Sequence, residues 1–476
     1  MNNQDFNDRM SDKAIDEWMD MHFDEYVRVL TQYVSFPSVA TLDADSLPFG
    51  KGCADMLTFI EDLMQRYGLE TDNVDTRAVI GTLKGTSGTK RIGIACHGDV
   101  VPPEGEWDRN PFELWRNGDD WLTGRGSTDN KGATIATLFA IRFLKEQGIR
   151  LKNDVQLFVG SAEEIGMQDM DYVLEHRSAP DFTMVPDSGF PVAHGEKGSM
   201  RFEAEAELTD GNLISFTAGE RGASVADHAT AEIRSEDAGK VGMLNACENI
   251  TATLENGIVR VSSMGKARHT AYPQEGLDAI GQLARALDRT RIVTGRAGKL
   301  IADIGRFTED FYGTGLGIAC EDDVSGRLTS VLTVIRVREG KLWIKFGICH
   351  PVTADVPHMQ DTIKKLLQDA GWSCMAMTGR TPTYVPVTPL LQKLNDIANE
   401  VHETDDPPYI MAGGTYARKL PNAIAYGMGT PSKNTPPPYP AGQGRAHQPN
   451  ESVYIPRMKK GMKIYVQALL AVDEAL

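Results

Sequence analysis

Short apolar runs alternate with helical patterns over residues 91–185, and this alternation limits the folds open to the chain. Residues 91–96 (RIGIAC), 155–159 (VQLFV) and 182–185 (FTMV) have the length and apolar content of buried strands. Residues 131–148 and 167–177 carry apolar side chains at helical spacing. Strands that alternate with helices form a sheet that is at least partly parallel. We therefore predict an α/β domain with a mixed sheet flanked by helices.

The pattern changes after Gly198. Residues 200–208 alternate strictly between apolar and charged side chains, which is typical of a strand with one face in water. Further strands are predicted at 328–337 and 341–349, and helices are predicted at 277–289 and 359–370. The mixture indicates an α+β domain, and the α/β pattern resumes after residue 388. We expect a discontinuous domain of residues 1–198 and 379–476, with an inserted domain of residues 199–378.

Length and charge support this organisation and exclude several functions. The chain has 476 residues, about three times the ~150 residues that one domain usually contains. Its 49 Lys and Arg and 66 Asp and Glu give a net charge of −17, which disfavours nucleic acid and anionic membranes as partners. The N-terminus has no secretory signal pattern, and the six cysteines are scattered without a CxxC pair. We expect a cytoplasmic protein with reduced thiols.

Polar side chains follow each predicted buried strand of the α/β domain. The three strands are followed by His97-Gly98-Asp99, by Glu163-Glu164 and by Asp187. Ligands of open α/β sheets bind outside the carboxyl ends of the strands, so these clusters could converge on one cleft. The loop 124–132 (GRGSTDNKG) precedes a predicted helix and is a fourth candidate. Taken singly, each carboxylate could equally be a helix cap or part of a solvated turn.

Histidine and carboxylate ligands suit Zn²⁺, Mn²⁺ or Co²⁺. In the HxD triplet, Asp99 could hold the second ring nitrogen of His97 and fix its tautomer. Adjacent side chains such as those of Glu163 and Glu164 point in different directions, so one could bind metal while the other acts as a base. The alternative for the HxD triplet alone is a loop without function.

The sequence of these clusters resembles that of a known family. Residues 97–131 are HGDVVPPEGEWDRNPFELWRNGDDWLTGRGSTDNK, similar to the metal-site motif of the dinuclear zinc peptidases and amidohydrolases, which include aminoacylase and carnosinase. SAEEIG, VPDSGFP, GEKG at 195–198, GGTYAR at 413–418 and AHQPNE at 446–451 extend the resemblance along nearly the whole chain. Within the family, the chain is most similar to monomeric bacterial dipeptidases of the V type, which are Xaa-His dipeptidase-like and have a large inserted lid.

The resemblance implies two divalent cations, with Zn²⁺ as the first choice and Mn²⁺ or Co²⁺ as alternatives. His97 and Asp187 would hold one cation, Glu164 and His447 the other, and Asp129 would bridge both. A cis peptide bond is expected after Asp129.

The resemblance also implies catalytic roles. Asp99 would orient His97, and Glu163 would be the general base. In the inserted domain, which would be the lid, His269 would stabilise the oxyanion. Arg418 in GGTYAR could bind a substrate carboxylate through two hydrogen bonds, or it could form a structural ion pair.

Two positions in the inserted domain depart from the pattern. Where dipeptidase relatives carry a substrate-binding Asn, this chain has Ala223, and where they carry a carboxylate-binding Arg, it has Cys349. A thiol cannot replace the two-pronged guanidinium group. The departures leave dipeptide specificity less well supported than metal chemistry.

The resemblance predicts metal-dependent hydrolysis of dipeptides by a metal-bridging water, with Glu163 as general base. The substrate would be a small molecule, and the protein is expected to be a monomer. One alternative is a deacylase of N-acyl amino acids. A second alternative is an inactive relative that retains metal and has a binding role, which the residues Ala223 and Cys349 would favour.

Overall fold

The computed structural model of the chain describes residues 11–42, 47–219, 224–428, 437–440 and 442–476. It divides into two compact units. Unit 1 comprises Met1–Gly195, Tyr384–Tyr409 and Gly414–Leu476, and unit 2 comprises Glu196–Thr383 and Ile410–Gly413. All six cysteines are free thiols. Within the described ranges, no helix has the length and apolar character needed to cross a membrane.

The described residues form ten α-helices and twenty-two strands. The helices are α1 (Asp12–Val34), α2 (Lys51–Arg66), α3 (Lys131–Glu146), α4 (Gln168–His176), α5 (Ala238–Asn245), α6 (Ala279–Thr290), α7 (Gly295–Phe307), α8 (Val356–Asp369), α9 (Pro389–His402) and α10 (Ile455–Ala475). The strands are β1 (Glu70–Val74), β2 (Ala78–Leu83), β3 (Arg91–His97), β4 (Trp115–Asn117), β5 (Trp121–Thr123), β6 (Asp154–Gly160), β7 (Phe182–Val185), β8 (Val192–Glu196), β9 (Gly198–Glu207), β10 (Leu213–Ala218), β11 (His228–Arg234), β12 (Ile250–Glu255), β13 (Ile258–Met264), β14 (Glu321–Asp322), β15 (Gly326–Arg327), β16 (Thr329–Arg338), β17 (Lys341–His350), β18 (Ser373–Arg380), β19 (Thr383–Tyr384), β20 (Tyr409–Met411), β21 (Ala423–Tyr426) and β22 (Ser452–Tyr454).

The main sheet of unit 1 is mixed. Its strand order includes the path β1-β2-β6-β3-β7-β21-β8. Strands β6, β3, β7 and β21 are parallel to one another, and the flanking pairs β1–β2, β2–β6 and β21–β8 are antiparallel. The three strands predicted from the apolar runs at 91–96, 155–159 and 182–185 are therefore the parallel centre of the sheet.

Helix α3 lies in the core of unit 1. All but three of its sixteen residues are buried, because apolar side chains on several faces let it pack against neighbours all round. The ring of Phe139 is fully buried and packs edge-to-face against Trp18, Tyr26 and Tyr67, with centroid separations of 6.1, 5.2 and 5.8 Å. The tyrosine hydroxyl of Tyr26 donates a hydrogen bond to the Gly132 carbonyl at 2.8 Å, which fixes the start of α3.

Unit 2 contains an antiparallel sheet of eight strands in the order β12-β13-β11-β10-β16-β17-β9-β18. The alternation predicted for residues 200–208 is present in β9, where Met200, Phe202, Ala204 and Ala206 are buried. The Phe202 ring stacks on Phe346 of β17 at 4.8 Å. Helices α6, α7 and α8 contribute to the same core. The predicted fold class, an α/β domain with a mixed sheet and an α+β domain, is confirmed.

The aromatic packing around α3 gives a stability prediction. Phe139→Ala should lower the free energy of unfolding by about 3–5 kcal/mol, because it removes a buried ring and leaves a cavity. The measurement is guanidinium denaturation followed by far-UV circular dichroism. Met21→Ala, at a residue of α1 that is 78% exposed, is the control and should change stability by less than about 0.5 kcal/mol. Equal effects of the two substitutions would contradict the assignment of this core.

Candidate metal centre

The topology of unit 1 brings the predicted polar clusters to one edge of the sheet. His97 is the last residue of β3 and pairs with Gly160, the last residue of β6. Because β3, β6 and β7 are parallel, their carboxyl ends lie at the same edge. Glu164 follows β6 and Asp187 follows β7, so both side chains start from that edge.

Two groups of potential metal ligands share Asp129. The first group is His97, Asp129 and Asp187, and the second is Asp129, Glu164 and His447; within each group the ligand atoms lie within 4.8 Å of one another. His97 Nε2 lies 3.1 Å from Asp129 Oδ1 and 3.7 Å from Asp187 Oδ2. His447 Nε2 lies 3.0 Å from Asp129 Oδ2 and 3.1 Å from Glu164 Oε1. Asp129 thus presents one oxygen to each group.

The chemistry of these atoms fits divalent cations. His97 Nε2 is buried and has no hydrogen-bond partner among the described residues. The other ring nitrogen, Nδ1, lies 3.0 Å from the main-chain carbonyl of Asp99. Donation of a proton from Nδ1 to that carbonyl leaves the Nε2 lone pair directed at the two carboxylates, which is the arrangement of a metal-binding imidazole. Imidazole with carboxylate is a ligand set of Zn²⁺, Mn²⁺ and Co²⁺.

Burial and crowding of like charges shift the pKa values of the carboxylates. Burial, and then the charge of Asp129, raise the pKa of Asp187 well above its usual value. The same two causes raise the pKa of Glu164. Burial also acts to raise the pKa of Asp129, but the adjacent imidazoles of His447 and His97 outweigh burial and lower it. Asp129 is therefore the carboxylate of the cluster that is most firmly ionised.

The pKa values of the two histidines are also raised, but by the neighbouring carboxylates and not by burial. Hydrogen bonds to Asp129 and Glu164 raise the pKa of His447 to about 11. Burial acts to lower the pKa of His97, but the adjacent carboxylates of Asp129 and Asp99 raise it well above its usual value. In the protein without cations, protons on the imidazoles therefore balance part of the carboxylate charge. A cation that binds here takes the place of those protons.

The Asp99 carboxylate holds the turn that follows β6. Its two oxygens accept hydrogen bonds from the backbone N–H groups of Glu163 at 3.1 Å and of Glu164 at 3.0 Å. Asp99 Oδ1 lies 3.5 Å from His97 Nδ1, farther than the main-chain carbonyl of Asp99. The side chain of Asp99 thus fixes the two glutamates, and its main chain takes the closer contact with His97.

Glu163 lies in neither ligand group. Its side chain is buried, and burial raises its pKa well above the usual value, with the charges of Asp187 and Glu164 adding to the increase. Asn130 is also buried, and its Nδ2 donates to Asp187 Oδ1 at 3.3 Å. The peptide bond between Asp129 and Asn130 is cis, as expected.

The remaining predicted residues lie elsewhere. Arg418 ends the short 3-10 helix Tyr416–Arg418 of unit 1, and the Tyr416 ring meets the His97 ring edge-on at 6.3 Å. His269 is an exposed residue of unit 2. Cys349 is buried in β17, and burial raises the pKa of its thiol. Ala223 lies outside the described residues.

The sequence analysis did not assign two buried carboxylates that support the cluster. Asp169 accepts hydrogen bonds from the N–H groups of Ser161 at 2.6 Å and Ala162 at 2.8 Å, and from the Tyr416 hydroxyl. Gly160 leaves room for these groups, since a Cβ there would lie 2.0 Å from the Tyr416 hydroxyl oxygen. The second unassigned carboxylate is that of Glu451. Its place in the AHQPNE motif was the feature of the sequence that could have pointed to it.

Comparison with known proteins identifies the family. The sequence model described as peptidase family M20/M25/M40 matches residues 93–471. "Putative dipeptidase YtjP" of Bacillus subtilis is 28% identical over 94% of this chain and 96% of its own length. Among solved structures, human carnosine dipeptidase 1 is similar with a TM-score of 0.59, 15% identity and coverage of 97% of this chain and 98% of its own.

The dipeptidase Dug1p of Saccharomyces cerevisiae is similar with a TM-score of 0.57 and 14% identity, covering 98% of this chain and 99% of its own. At these identities the two structures establish the fold. The family match spans the residues of both ligand groups and most of the chain. It confirms the resemblance found in the motifs. The chain belongs to peptidase family M20/M25/M40.

Proposed function

We propose that this peptidase is a dipeptidase that uses two divalent cations. His97 and Asp187 would hold one cation, Glu164 and His447 the other, and Asp129 both. The observation that carries the proposal is the position of Asp129, whose Oδ1 faces His97 and whose Oδ2 faces His447. Zn²⁺ is the proposed cation, and Mn²⁺ and Co²⁺ suit the same ligands.

The bound cations would supply Lewis acidity, polarising the scissile carbonyl and bringing the pKa of water to ~7. Glu163 would accept the proton of the attacking water and deliver it to the leaving amine. Three features support this role: Glu163 is buried, it lies outside both ligand groups, and the Asp99 carboxylate fixes its backbone N–H.

Two further residues would bind the substrate. His269 Nδ1 accepts a hydrogen bond from the Ala271 N–H at 3.1 Å, so the proton of the neutral ring is on Nε2. That N–H is a suitable donor to an oxyanion. Arg418 would bind the substrate carboxylate, and the contact of the Tyr416 ring, two residues earlier, with the His97 ring at 6.3 Å supports this role. The action of unit 2 as a lid stays a prediction.

The names of the relatives support a dipeptide as substrate. We also propose that the enzyme works in the cytoplasm as a monomer. Its six free thiols suit a reducing compartment. A deacylase of N-acyl amino acids and an inactive metal-binding relative stay as the alternatives.

The proposed base gives the first prediction from the site. Glu163→Gln should reduce kcat by at least ~10²-fold, because a neutral amide cannot accept the proton of water. Zinc content, measured by elemental analysis, should not change, because Glu163 is in neither ligand group. The matched control is Glu175→Gln, at an exposed glutamate of α4, which should keep normal turnover. Normal turnover in Glu163→Gln would exclude the proposed role.

The substrate class is tested with a panel of compounds. We expect dipeptides with a free amine to be hydrolysed faster than N-acetyl and N-succinyl amino acids when Zn²⁺ or Mn²⁺ is present. Preference for the acylated compounds would make the protein a deacylase. Hydrolysis of no compound by protein that contains both cations would favour the inactive relative.

Cation removal should affect both activity and stability. Cations that bind only the folded protein stabilise it by about 2.7 kcal/mol at a free concentration 100 times Kd. Dialysis against a chelator should therefore abolish hydrolysis and lower Tm, and added Zn²⁺ should reverse both changes. Asp129→Asn should show no such rise in Tm, because Asp129 belongs to both ligand groups. An unchanged Tm of the wild-type protein would contradict the proposed metal centre.

A further inference from the structure

The segment that carries His447 has no regular structure of its own. Residues 442–450 lie in turns and bends, and the strand β22 starts only at Ser452. His447 itself adopts a left-handed backbone conformation with φ 63°, and its side chain is 55% exposed. Packing around the imidazole therefore cannot fix its position. Some other contact has to hold this segment at the distance that a metal ligand requires.

The side chain of Glu451 provides that contact. Glu451 is fully buried. Its Oε1 accepts hydrogen bonds from the backbone N–H groups of Thr128 at 2.9 Å and Asp129 at 3.0 Å. Its Oε2 accepts from the Gly126 N–H at 3.1 Å and from Arg125 Nη1 at 2.7 Å. One carboxylate thus joins the His447 segment to the loop that presents Asp129.

A carboxylate suits this position and an amide does not. All four groups around Glu451 are donors, two on each oxygen. A glutamine has only one acceptor oxygen, so in either orientation its NH₂ group would face two donors. The buried guanidinium of Arg125 balances the charge of the carboxylate, as a buried ion needs a partner.

The main chain of the same segment is held separately. The Glu451 carbonyl accepts hydrogen bonds from the Gly124 N–H at 2.8 Å and the Ser127 hydroxyl at 3.2 Å. The side-chain oxygen of Asn450 accepts from the Asp108 N–H at 3.0 Å. None of these contacts uses the Glu451 side chain, so we expect the segment to stay attached when that side chain is changed.

We infer that Glu451 is a positioning residue of the metal centre, and this inference rests on the proposed binding of two cations. Glu451 accepts a hydrogen bond from the N–H group of Asp129 and so holds it directly. It holds His447 indirectly, because the two residues lie four positions apart in the same segment. Asp129 serves both cations, whereas His447 serves only the second. Loss of the Glu451 carboxylate therefore weakens the second site, formed by Asp129, Glu164 and His447, more than the first.

The test compares Zn²⁺ binding by the full-length wild-type protein and Glu451→Gln. After removal of metal with a chelator, each protein is titrated with ZnCl₂ in a calorimeter, and bound zinc is counted by elemental analysis. Wild type should bind two Zn²⁺. In Glu451→Gln, Kd of the second Zn²⁺ should rise by about 10–100-fold, the usual effect of losing a group that orients a metal ligand, while the first Zn²⁺ binds with much less change.

Asp473→Asn is the matched control for a general loss of stability. Asp473 is also buried, and its carboxylate accepts hydrogen bonds from the N–H groups of Lys152 at 2.9 Å and Asn153 at 2.8 Å. The control should lower Tm without changing either Zn²⁺ affinity. The inference is wrong if Glu451→Gln binds both Zn²⁺ as tightly as wild type. It is also wrong if Asp473→Asn loses the second Zn²⁺ to the same extent.

A second variant decides the matter if Glu451→Gln does not fold, as judged by circular dichroism. Glu451→Asp keeps the charge opposite Arg125, but it is one methylene shorter and cannot reach all four donors. Its second Zn²⁺ should bind more weakly than in wild type, and unchanged affinity would overturn the inference. Wild-type protein that binds fewer than two Zn²⁺ would instead refute the proposed metal centre. The two failures are therefore distinguishable.

Discussion

Three buried carboxylates each accept hydrogen bonds from two consecutive backbone N–H groups in the loops that follow β6 and precede α3. Asp99 holds residues 163 and 164, Asp169 holds 161 and 162, and Glu451 holds 128 and 129. Loops cannot satisfy their own N–H groups as helices do, and buried N–H groups without acceptors are costly. Ionised acceptors make the stronger hydrogen bonds. These pairs hold the backbone of Asp129 and of Glu164, one candidate ligand from each of the two loops.

The sheet and the loops contribute differently to the centre. Parallel strands β3, β6 and β7 bring His97 and the start of two loops to one edge, which sets the general location. The final distances near 3 Å between Asp129, His97 and His447 depend on the loops. Burial then shifts the pKa values of the clustered groups, and burial raises the pKa of Asp169 itself to about 6. A rigid strand edge and tightly held loops together produce a site that favours cations.

Local patterns were enough to predict the central strands and four helices, among them α3 and α6, because apolar periodicity records which face is buried. The strand 182–185 and the alternating strand at 200–208 agree with the structure closely. The motifs identified the ligand residues as candidates, and the structure brings those of unit 1 together. The role of Glu451 could not be predicted, since the Thr128 N–H that it accepts lies 323 residues earlier. The role of Asp169 was hidden because an acidic residue in the first turn of a helix is usually only a cap.

The discontinuous build of unit 1 has a consequence for its synthesis. Strand β21, formed by residues 423–426, lies between β7 and β8 in the sheet. A nascent chain therefore carries the open edge of β7 until residues 423–426 emerge from the ribosome, more than 230 residues after β7 itself. An unpaired buried strand edge is a template for wrong pairing. His447 and Glu451 emerge later still, so the candidate cation site is completed only after the sheet, and slow synthesis between β8 and β21 prolongs the exposed stage.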